Sequence, residues 1–168
     1  MKKVVLIGFA ACYKSTVGKL LSDKLGCSFV DTDEEIERAA NMSVLQIFEK
    51  YGEKYFRERE NELLSVLQCD NSIVACGGGS VLASCFDAFV QDSVVICLTA
   101  SAETIRARLG KTPRPLFDGL TVEELRSYVQ KRAQLYAKYA HATFPTDGKT
   151  SEQVAEQIYT YIVGLNRE

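Results

Sequence analysis

The sequence has few of the residues that most often build metal and redox centres. It contains one histidine, and its six cysteines include no C-x-x-C pair. A single histidine excludes a site built from several imidazoles, so a general base in this protein is more readily a carboxylate. The chain also has no tryptophan and only three prolines. No Ser/Pro-rich linker or low-complexity stretch divides it.

Neither sign of charge is in large excess. The 22 acidic and 20 basic side chains give a net charge of −2. Binding to nucleic acid or anionic lipid normally shows as a strongly basic face, so we expect no such partner, and any anionic ligand must be held by a local site. With 46% hydrophobic and 25% charged residues, the composition also excludes disordered, collagen-like and membrane-spanning classes. A length of 168 residues predicts one domain, residues 1–168.

Most of the six cysteines lie in apolar runs such as SIVAC and SVVICLTA. This placement predicts buried free thiols in a reducing cytosol. The N-terminal stretch MKKVVLIGFAAC offers an alternative, because it resembles a short lipoprotein signal. However, it continues directly into KSTVGKLLSDKLG, which has the spacing of an amphipathic helix, whereas a lipid anchor usually leads into a polar linker. The continuation favours the cytosolic interpretation.

Short apolar runs alternate with segments of helical period along the chain. The runs predict strands, and the periodic segments predict helices, one of which ends at Gly26. The predicted strands are residues 4–7, 28–30, 73–76, 94–98 and 142–144; the predicted helices are 17–25, 33–40, 43–51, 53–68, 121–139 and one from 151. This alternation predicts an α/β fold, a three-layer doubly wound sheet of about five parallel strands. Ligands of such sheets bind beyond the carboxyl ends of the strands.

The loop after the first predicted strand reads GFAACYKST. It resembles the phosphate-binding pattern G-x-x-x-x-G-K-[ST], in which backbone N–H groups cradle phosphates, a lysine reaches them and a hydroxyl holds Mg²⁺. Gly8, Lys14 and Ser15 fit the pattern, but Tyr13 occupies the second glycine position, and Ala11 stands where a further glycine is common. A bulky residue at positive φ is strained. An exposed loop before an ordinary helix is the alternative.

Two carboxylates follow the second predicted strand, Asp31 and Asp33. One could lie near a metal ion or its waters while the other accepts a hydrogen bond from a substrate hydroxyl. A helix N-cap with acidic residues in the first turn is the alternative, and it needs no function.

Two further groups could hold a small anionic ligand. Arg57 and Glu60 have i, i+3 spacing, so the glutamate could orient the arginine toward a ligand carboxylate; a solvated helix face is the alternative. Three glycines, Gly77, Gly78 and Gly79, follow a predicted strand and would let a ligand approach the main chain. A plain turn is the alternative there.

The segment 109–120 lies between two predicted helices and contains Pro113, Arg114 and Pro115. We expect a lid whose arginine folds over a transferring phosphate, with a surface connection as the alternative. Arg132, in the next helix, could pair with Arg57 around one carboxylate. We assign no role to His141, which we expect to be an exposed cation or polar surface residue after that helix.

Taken in order, these motifs resemble the shikimate kinase family across essentially the whole chain. The matching segments are the loop at 8–16, Asp31-Thr32-Asp33, FRERE at 56–60, the three glycines, Arg114-Pro115-Leu116 and KRAQLY at 131–136. The resemblance implies a cytoplasmic enzyme of chorismate and aromatic amino-acid biosynthesis. It would transfer the γ-phosphoryl group of ATP to the 3-hydroxyl of shikimate, with Mg²⁺, on a fold of the nucleoside monophosphate kinase type. A monomer is expected.

The resemblance also implies a role for each matching residue. Shikimate would bind through its carboxylate to Arg57 and Arg132, with Glu60 holding Arg57, through its hydroxyls to Asp33, and along Gly77–Gly79. The nucleotide phosphates would lie on Ala11, Cys12, Tyr13, Lys14, Ser15 and Thr16, with Mg²⁺ at Ser15 and Asp31, Arg114 closing from the lid, and Arg108 beside the adenine. Lys14, Asp33 and Arg114 are the expected catalytic residues. The substrate-binding helical region would span about 33–60, and the lid about 109–120.

Two other functions stay open at this point. The chain could be a shikimate-binding protein whose kinase activity is lost or weakened by Ala11 and Tyr13, or a related kinase with another acceptor. Lys14, Ser15, Asp31 and Arg114 favour the enzyme, because a binding module has no need of them.

Overall fold

The computed structural model describes residues 2–110, 114 and 116–165. Its strands and helices alternate along the chain. The elements are β1 (Val4–Gly8), α1 (Lys14–Leu25), β2 (Ser28–Asp31), α2 (Thr32–Ala40), α3 (Val44–Val66), β3 (Ser72–Ala75), a 3₁₀ turn (Ser80–Leu82), α4 (Phe86–Phe89), β4 (Val94–Thr99), α5 (Ala102–Leu109), α6 (Val122–Tyr139), β5 (Ala142–Pro145) and α7 (Ser151–Leu165). The predicted α/β class is confirmed.

The five strands form one parallel sheet in the order β2-β3-β1-β4-β5. β1 is central, with Leu6 opposite Ala75 of β3 on one side and Ile96 of β4 on the other. Every residue of β1 and β3 is buried, as expected for strands covered by helices on both faces. The chain passes from one side of β1 to the other between β3 and β4. Because β1 and β3 are neighbouring parallel strands, the loops that follow them leave the same edge of the sheet side by side. Parallel sheets bind ligands at this edge.

The predicted boundaries agree with the observed ones to within about three residues. Gly26 ends α1 in the left-handed conformation, with φ 63°, and Thr121 with Glu124 forms the capping box that begins α6. The predicted helices 43–51 and 53–68 correspond to the two parts of α3, which meet at Gly52. That residue has φ 81° and ψ 172°, a conformation that favours glycine. The short helix α4 and the 3₁₀ turn were not predicted, and α5 was implied only as a helix before residue 109, without bounds.

Two groups of buried apolar side chains stabilise the fold. The larger lies on both faces of the sheet and includes Leu6, Ile96 and Ile158. A smaller group, Ile36, Ile47 and Phe56, joins α2 to α3 and supports the helical region beside the sheet. Burial of a side chain of this size contributes about 1.5–3 kcal/mol.

All six cysteines are free thiols, as predicted. Cys12, Cys76 and Cys97 are buried, while the other three are partly buried. The apolar N-terminal stretch forms the central strand of the sheet, which disagrees with the lipoprotein-signal alternative. Within the described residues, no helix is long and apolar enough to cross a bilayer. Of the expected lid, Pro113 and Pro115 lie outside the described residues.

Candidate active site

In the loop between β1 and α1, two residues other than glycine adopt a backbone conformation that favours glycine. Ala11 has φ 60° and Tyr13 has φ 69°, both in the left-handed region. For residues other than glycine, this region costs about 1–2 kcal/mol each. Tyr13 is the N-cap of α1, so the loop still delivers the chain to a helix N-terminus, where backbone N–H groups attract anions. The alternative of an ordinary exposed loop does not explain this strained conformation.

Lys14 turns back over this loop. Its Nζ donates hydrogen bonds of 2.8 Å to the carbonyl oxygens of Gly8 and Phe9. Burial lowers the pKa of Lys14, and the nearby carboxylates of Asp33 and Asp31 oppose that change. The ammonium group is therefore held inside the loop, where an anionic ligand would stabilise its charged form.

Asp31 joins the loop to the second motif. Its carboxylate caps α2 by accepting from the backbone N–H of Asp33 (2.9 Å) and Glu34 (3.3 Å), so the helix-cap alternative is also correct. The hydroxyl of Ser15 donates to the other carboxylate oxygen. The described residues contain no group of three or more His, Cys, Asp or Glu side chains that could hold a metal ion. A hydroxyl and a single carboxylate nevertheless suit Mg²⁺, which takes one or two protein ligands and completes its shell with phosphate oxygens and water.

Asp33 has a different environment from Asp31. Its Oδ1 is buried and has no hydrogen-bond partner within the protein. Burial, together with the negative charges of Asp31 and Glu60, raises the pKa of Asp33 to about 6. Because buried acceptors are normally paired, this oxygen is suited to a hydroxyl of a bound ligand.

A second pocket adjoins the phosphate loop. It is lined by residues from six parts of the chain: Phe9, Ala10, Asp33, Val44, Phe48, Phe56, Arg57, Gly77, Gly78, Gly79, Arg114, Leu116, Phe117, Tyr128 and Arg132. Its two α-helical arginines, Arg57 and Arg132, enter from α3 and α6, so the predicted pairing around one ligand is possible.

Arg57 is held as the sequence predicted. Its guanidinium donates to Glu60 at 2.8 Å, and the Glu60 side chain is only 1% exposed. The hydroxyl of Ser80 donates to the second oxygen of Glu60 at 2.6 Å. The solvated-face alternative is wrong for this pair, because a buried carboxylate with two partners fixes the arginine against the pocket wall.

Two of the three glycines, Gly77 and Gly79, are required by space, whereas a Cβ on Gly78 would make ordinary contacts. A Cβ on Gly79 would overlap the guanidinium of Arg57, and a Cβ on Gly77 would lie 2.6 Å from Asp33 Oδ1 and 2.8 Å from Glu60 Oε1. Real Cβ atoms do not approach other atoms this closely, so the arginine and both carboxylates can keep these positions only while Gly77 and Gly79 have no side chains. This crowding argues against the plain-turn alternative.

Arg132 and Arg114 complete the pocket. Arg132 donates to the Tyr128 hydroxyl at 3.3 Å and to the Gly78 carbonyl at 3.5 Å. Arg114 lies at the start of a turn in which its carbonyl oxygen accepts from the N–H groups of Phe117 and Asp118. The Asp118 carboxylate accepts from the Arg114 N–H in return. Of the described part of the predicted lid, Arg114 lines both pockets, and Leu116 and Phe117 line the second.

Arg108 lies on the far side of the phosphate loop, outside the second pocket. Its guanidinium stacks on the ring of Tyr13 at 3.8 Å, and it donates to the carbonyl oxygen of Ala11 at 2.9 Å. It also donates to the hydroxyl and carbonyl of Thr146, at 2.9 and 3.0 Å. Local spacing could not reveal this contact, because Tyr13 and Arg108 are 95 positions apart.

Some residues near the site were not predicted. The rings of Phe9, Phe117 and Tyr128 contact one another, with centroid separations of 4.8, 5.8 and 5.5 Å. They come from three separate elements, so no local spacing could have revealed them, whereas Ser80 directly follows the glycines and could have been found. His141 is exposed, and its Nδ1 accepts a hydrogen bond from the Val95 N–H at 3.0 Å.

The two pockets meet at five residues. The phosphate-loop pocket is lined by residues 10–16, Asp31, Asp33, Cys76, Gly77, Gly78 and Arg114. It shares Ala10, Asp33, Gly77, Gly78 and Arg114 with the neighbouring pocket. An anion on the loop and a polar molecule beside Arg57 and Arg132 would therefore face each other across Asp33 and Arg114. Such an arrangement can transfer a phosphoryl group between two bound molecules.

Comparison with known proteins agrees with this geometry. A sequence model of the family described as shikimate kinase matches residues 10–163. A shikimate kinase of Thermodesulfovibrio yellowstonii is 43% identical over 162 residues, covering 94% of this chain and 93% of that protein. One from Thermoanaerobacter pseudethanolicus is 37% identical over 170 residues, covering 99% of both. The structure of the shikimate kinase from Acinetobacter baumannii in complex with shikimate is 31% identical and matches with a TM-score of 0.92, covering 100% of this chain and 96% of that one.

Proposed function

The chain belongs to the shikimate kinase family, and with this membership as the premise we propose how its residues hold the two substrates. It is an ATP-dependent phosphotransferase with an alcohol acceptor. The reaction moves the γ-phosphoryl group of ATP to the 3-hydroxyl of shikimate, giving shikimate 3-phosphate and ADP in the route to chorismate and the aromatic amino acids.

The acceptor pocket suits a small carboxylated polyol. Arg57 and Arg132 bind the carboxylate of shikimate, and Glu60 keeps the Arg57 fork directed into the pocket. The unpartnered Oδ1 of Asp33 accepts from a ring hydroxyl. Gly77–Gly79 lie along the ring, where their lack of side chains leaves room for it.

The donor side is formed by the phosphate loop. Residues Ala11, Cys12, Tyr13, Lys14, Ser15 and Thr16 surround the nucleotide phosphates, with Lys14 as the internal cation. Ser15 and Asp31 would hold Mg²⁺, which supplies charge neutralisation of phosphate oxygens when it is bound. Arg108 lies beside the adenine.

Transfer depends on positioning and on charge. Asp33 accepts the proton of the attacking hydroxyl as the new O–P bond forms and the bond from phosphorus to the ADP oxygen breaks. Lys14 and Arg114 stabilise the charge that develops on the phosphoryl oxygens. No step requires the single histidine or any of the six cysteines.

One observation carries this proposal: Asp33, with its unpartnered buried oxygen, stands with Arg114 where the two pockets join. Conversely, a protein that only binds shikimate would not need a phosphate loop whose strained conformation is retained at Ala11 and Tyr13. A single domain is proposed, with the helical region at about 33–60 and the lid at about 109–120. We further propose a monomer in the cytoplasm.

The test is a coupled assay with ATP, Mg²⁺ and shikimate. We expect turnover by the unchanged chain, and little turnover with the methyl ester of shikimate, which lacks the carboxylate that the two arginines bind. Absence of turnover with shikimate binding intact, and activity appearing only in Tyr13→Gly, would instead identify a binding protein. Equal rates with the ester would indicate another acceptor.

A further inference from the structure

Arg108 contacts both strained residues of the phosphate loop. Ala11 and Tyr13 are the two loop residues other than glycine with positive φ. Arg108 donates to the carbonyl oxygen of the first and stacks on the ring of the second. A single guanidinium therefore holds the two positions at which the backbone conformation is least favourable.

The other side of Arg108 is anchored to a rigid part of the fold. Thr146, which accepts two hydrogen bonds from Arg108, is fully buried. Its backbone N–H and its hydroxyl both donate to the carbonyl of Thr99, at 2.8 and 3.0 Å, at the end of β4. The next residue, Asp147, accepts from the backbone and hydroxyl of Ser101 at the start of α5, the helix that carries Arg108. Arg108 thus connects the phosphate loop to Thr146, in a segment that is held by the end of β4 and the start of α5.

We propose that Arg108 is a positioning residue for the phosphate loop in this chain, with Tyr13 as its stacking partner. It keeps Ala11 and Tyr13 in left-handed conformations that glycine would adopt unaided. Phosphate binding by this glycine-poor loop consequently depends on Arg108, whereas a loop with glycine at both positions would not. The inference rests on the proposed function only in that the loop binds the phosphates of the donor.

This role differs from a contact with the base of the nucleotide. A base contact would affect ATP but not a ligand that has phosphates and no base. Positioning of the loop would affect both ligands, and its effect would disappear when the loop no longer needs support. Inorganic tripolyphosphate is therefore the informative probe.

The experiment compares four proteins by calorimetric titration with tripolyphosphate and Mg²⁺: the unchanged chain, Arg108→Met, the double variant Ala11→Gly/Tyr13→Gly, and the triple variant. In the natural loop, we expect Arg108→Met to weaken binding about tenfold, because a stacked and hydrogen-bonded guanidinium is lost. In the glycine loop, the same change should weaken it by no more than about twofold. Arg126→Met removes the same charge from the exposed surface and should leave binding unchanged.

A series at Tyr13 tests the inference without changing Arg108. Tyr13→Phe keeps the ring that stacks on Arg108 and is the reference for this series. Tyr13→Leu keeps a Cβ in the left-handed region but removes the ring, so it should bind more weakly than both Tyr13→Phe and Tyr13→Gly. If Arg108→Met does not fold, this series decides the question.

Several results would overturn the inference. They are an equal effect of Arg108→Met in both loops, a loss confined to ATP, equal binding by Tyr13→Leu and Tyr13→Phe, or no binding of tripolyphosphate by the unchanged chain. A failure to phosphorylate shikimate would count against the proposed function instead, and the tripolyphosphate comparison would still decide the role of Arg108.

Discussion

At the scale of single residues, the buried carboxylate of Asp33 has an energetic cost that a bound ligand would relieve. Asp33 has a buried oxygen without a donor, and its neighbours Asp31 and Glu60 are themselves acidic. Such a group lowers the stability of the free protein, as groups arranged for catalysis commonly do. Arg57 is the opposite case, because its partner is already present in Glu60, and its 26% exposed side chain is directed at the acceptor pocket before any ligand binds.

Asp33→Asn should stabilise the metal-free protein in a pH-dependent way. Burial raises the pKa of Asp33 from its ordinary value of 3.8 to about 6 in the folded chain, so the folded state binds the proton more tightly. In the unchanged chain, protonation of Asp33 contributes to the free energy of unfolding. This contribution is fully present below about pH 4 and is lost as the pH rises through 6. We expect the variant to be more stable by about 1–2 kcal/mol at pH 7, with the difference closing toward pH 4.

Urea unfolding at several pH values between 4 and 7, in the presence of a chelator, measures this difference. Asp23→Asn, an exposed site on α1, is the control for loss of one negative charge. A stability difference that does not change with pH would contradict the assignment.

The same variant should lower kcat by about 10²–10⁴, the usual contribution of a general base.

Arg57→Ala should weaken shikimate binding and leave nucleotide binding nearly unchanged. Loss of a charge-assisted pair with the carboxylate predicts a rise in Kd of about 30- to 100-fold, while Kd for ATP should stay within about twofold. Titration calorimetry with each ligand separately measures both constants. Arg59→Ala, two positions along α3 and paired with Glu62, is the matched control. Equal loss of both affinities would mean that the two pockets are not separate.

At the scale of elements, the site depends on how closely main chain can approach side chains. The segment 77–79 passes between α3 and the phosphate loop. Gly77 N–H donates to the Thr32 hydroxyl at 3.0 Å, and the Tyr136 hydroxyl donates to the Gly78 carbonyl at 2.6 Å. The segment is thus held by α2 on one side and α6 on the other, in a position where a Cβ at Gly77 or Gly79 would meet neighbouring side chains.

Gly79→Ala should act through Arg57. The new Cβ would occupy the place of the guanidinium, so we expect Arg57 to move from its position and shikimate affinity to fall at least about tenfold, with the fold retained. Gly164→Ala, in α7 with nothing near its Cβ, is the control and should raise stability by about 0.5–1 kcal/mol. Calorimetry and urea unfolding measure the two effects. Unchanged shikimate binding by Gly79→Ala would show that Arg57 does not need this position.

At the scale of the whole molecule, charge and thiols are both arranged by the fold. The chain is nearly neutral overall, yet the cations Lys14, Arg57, Arg114 and Arg132 all come to the same end of the sheet. Binding of two anionic substrates is therefore a local property of that end. The cysteines are distributed in the opposite manner: three lie inside the core, and none pairs with another.

Thiol reactivity should follow this burial. In the native protein, we expect Cys12, Cys76 and Cys97 to resist a chromogenic disulfide reagent, because burial blocks access and raises the pKa of each thiol, to about 12 for Cys97. The partly exposed Cys27, Cys69 and Cys85 should react first, and all six should react in urea. Absorbance of the released thiolate counts them. Rapid reaction of more than three thiols under native conditions would contradict the buried arrangement.

Some of this protein followed from the sequence alone. The strand and helix alternation, the parallel sheet and the positions of Asp31, Arg57 and the three glycines were predicted, because hydrophobic period and motif spacing act over short stretches of chain. Other features depended on tertiary structure: the Tyr13–Arg108 stack, the Phe9–Phe117–Tyr128 contact, and the burial of Glu60 beside Ser80. These join residues from different elements, and their energies depend on distance and burial, which are set only when the sheet brings its loops together. The sequence thus determined which groups are available, and the fold decided which of them meet.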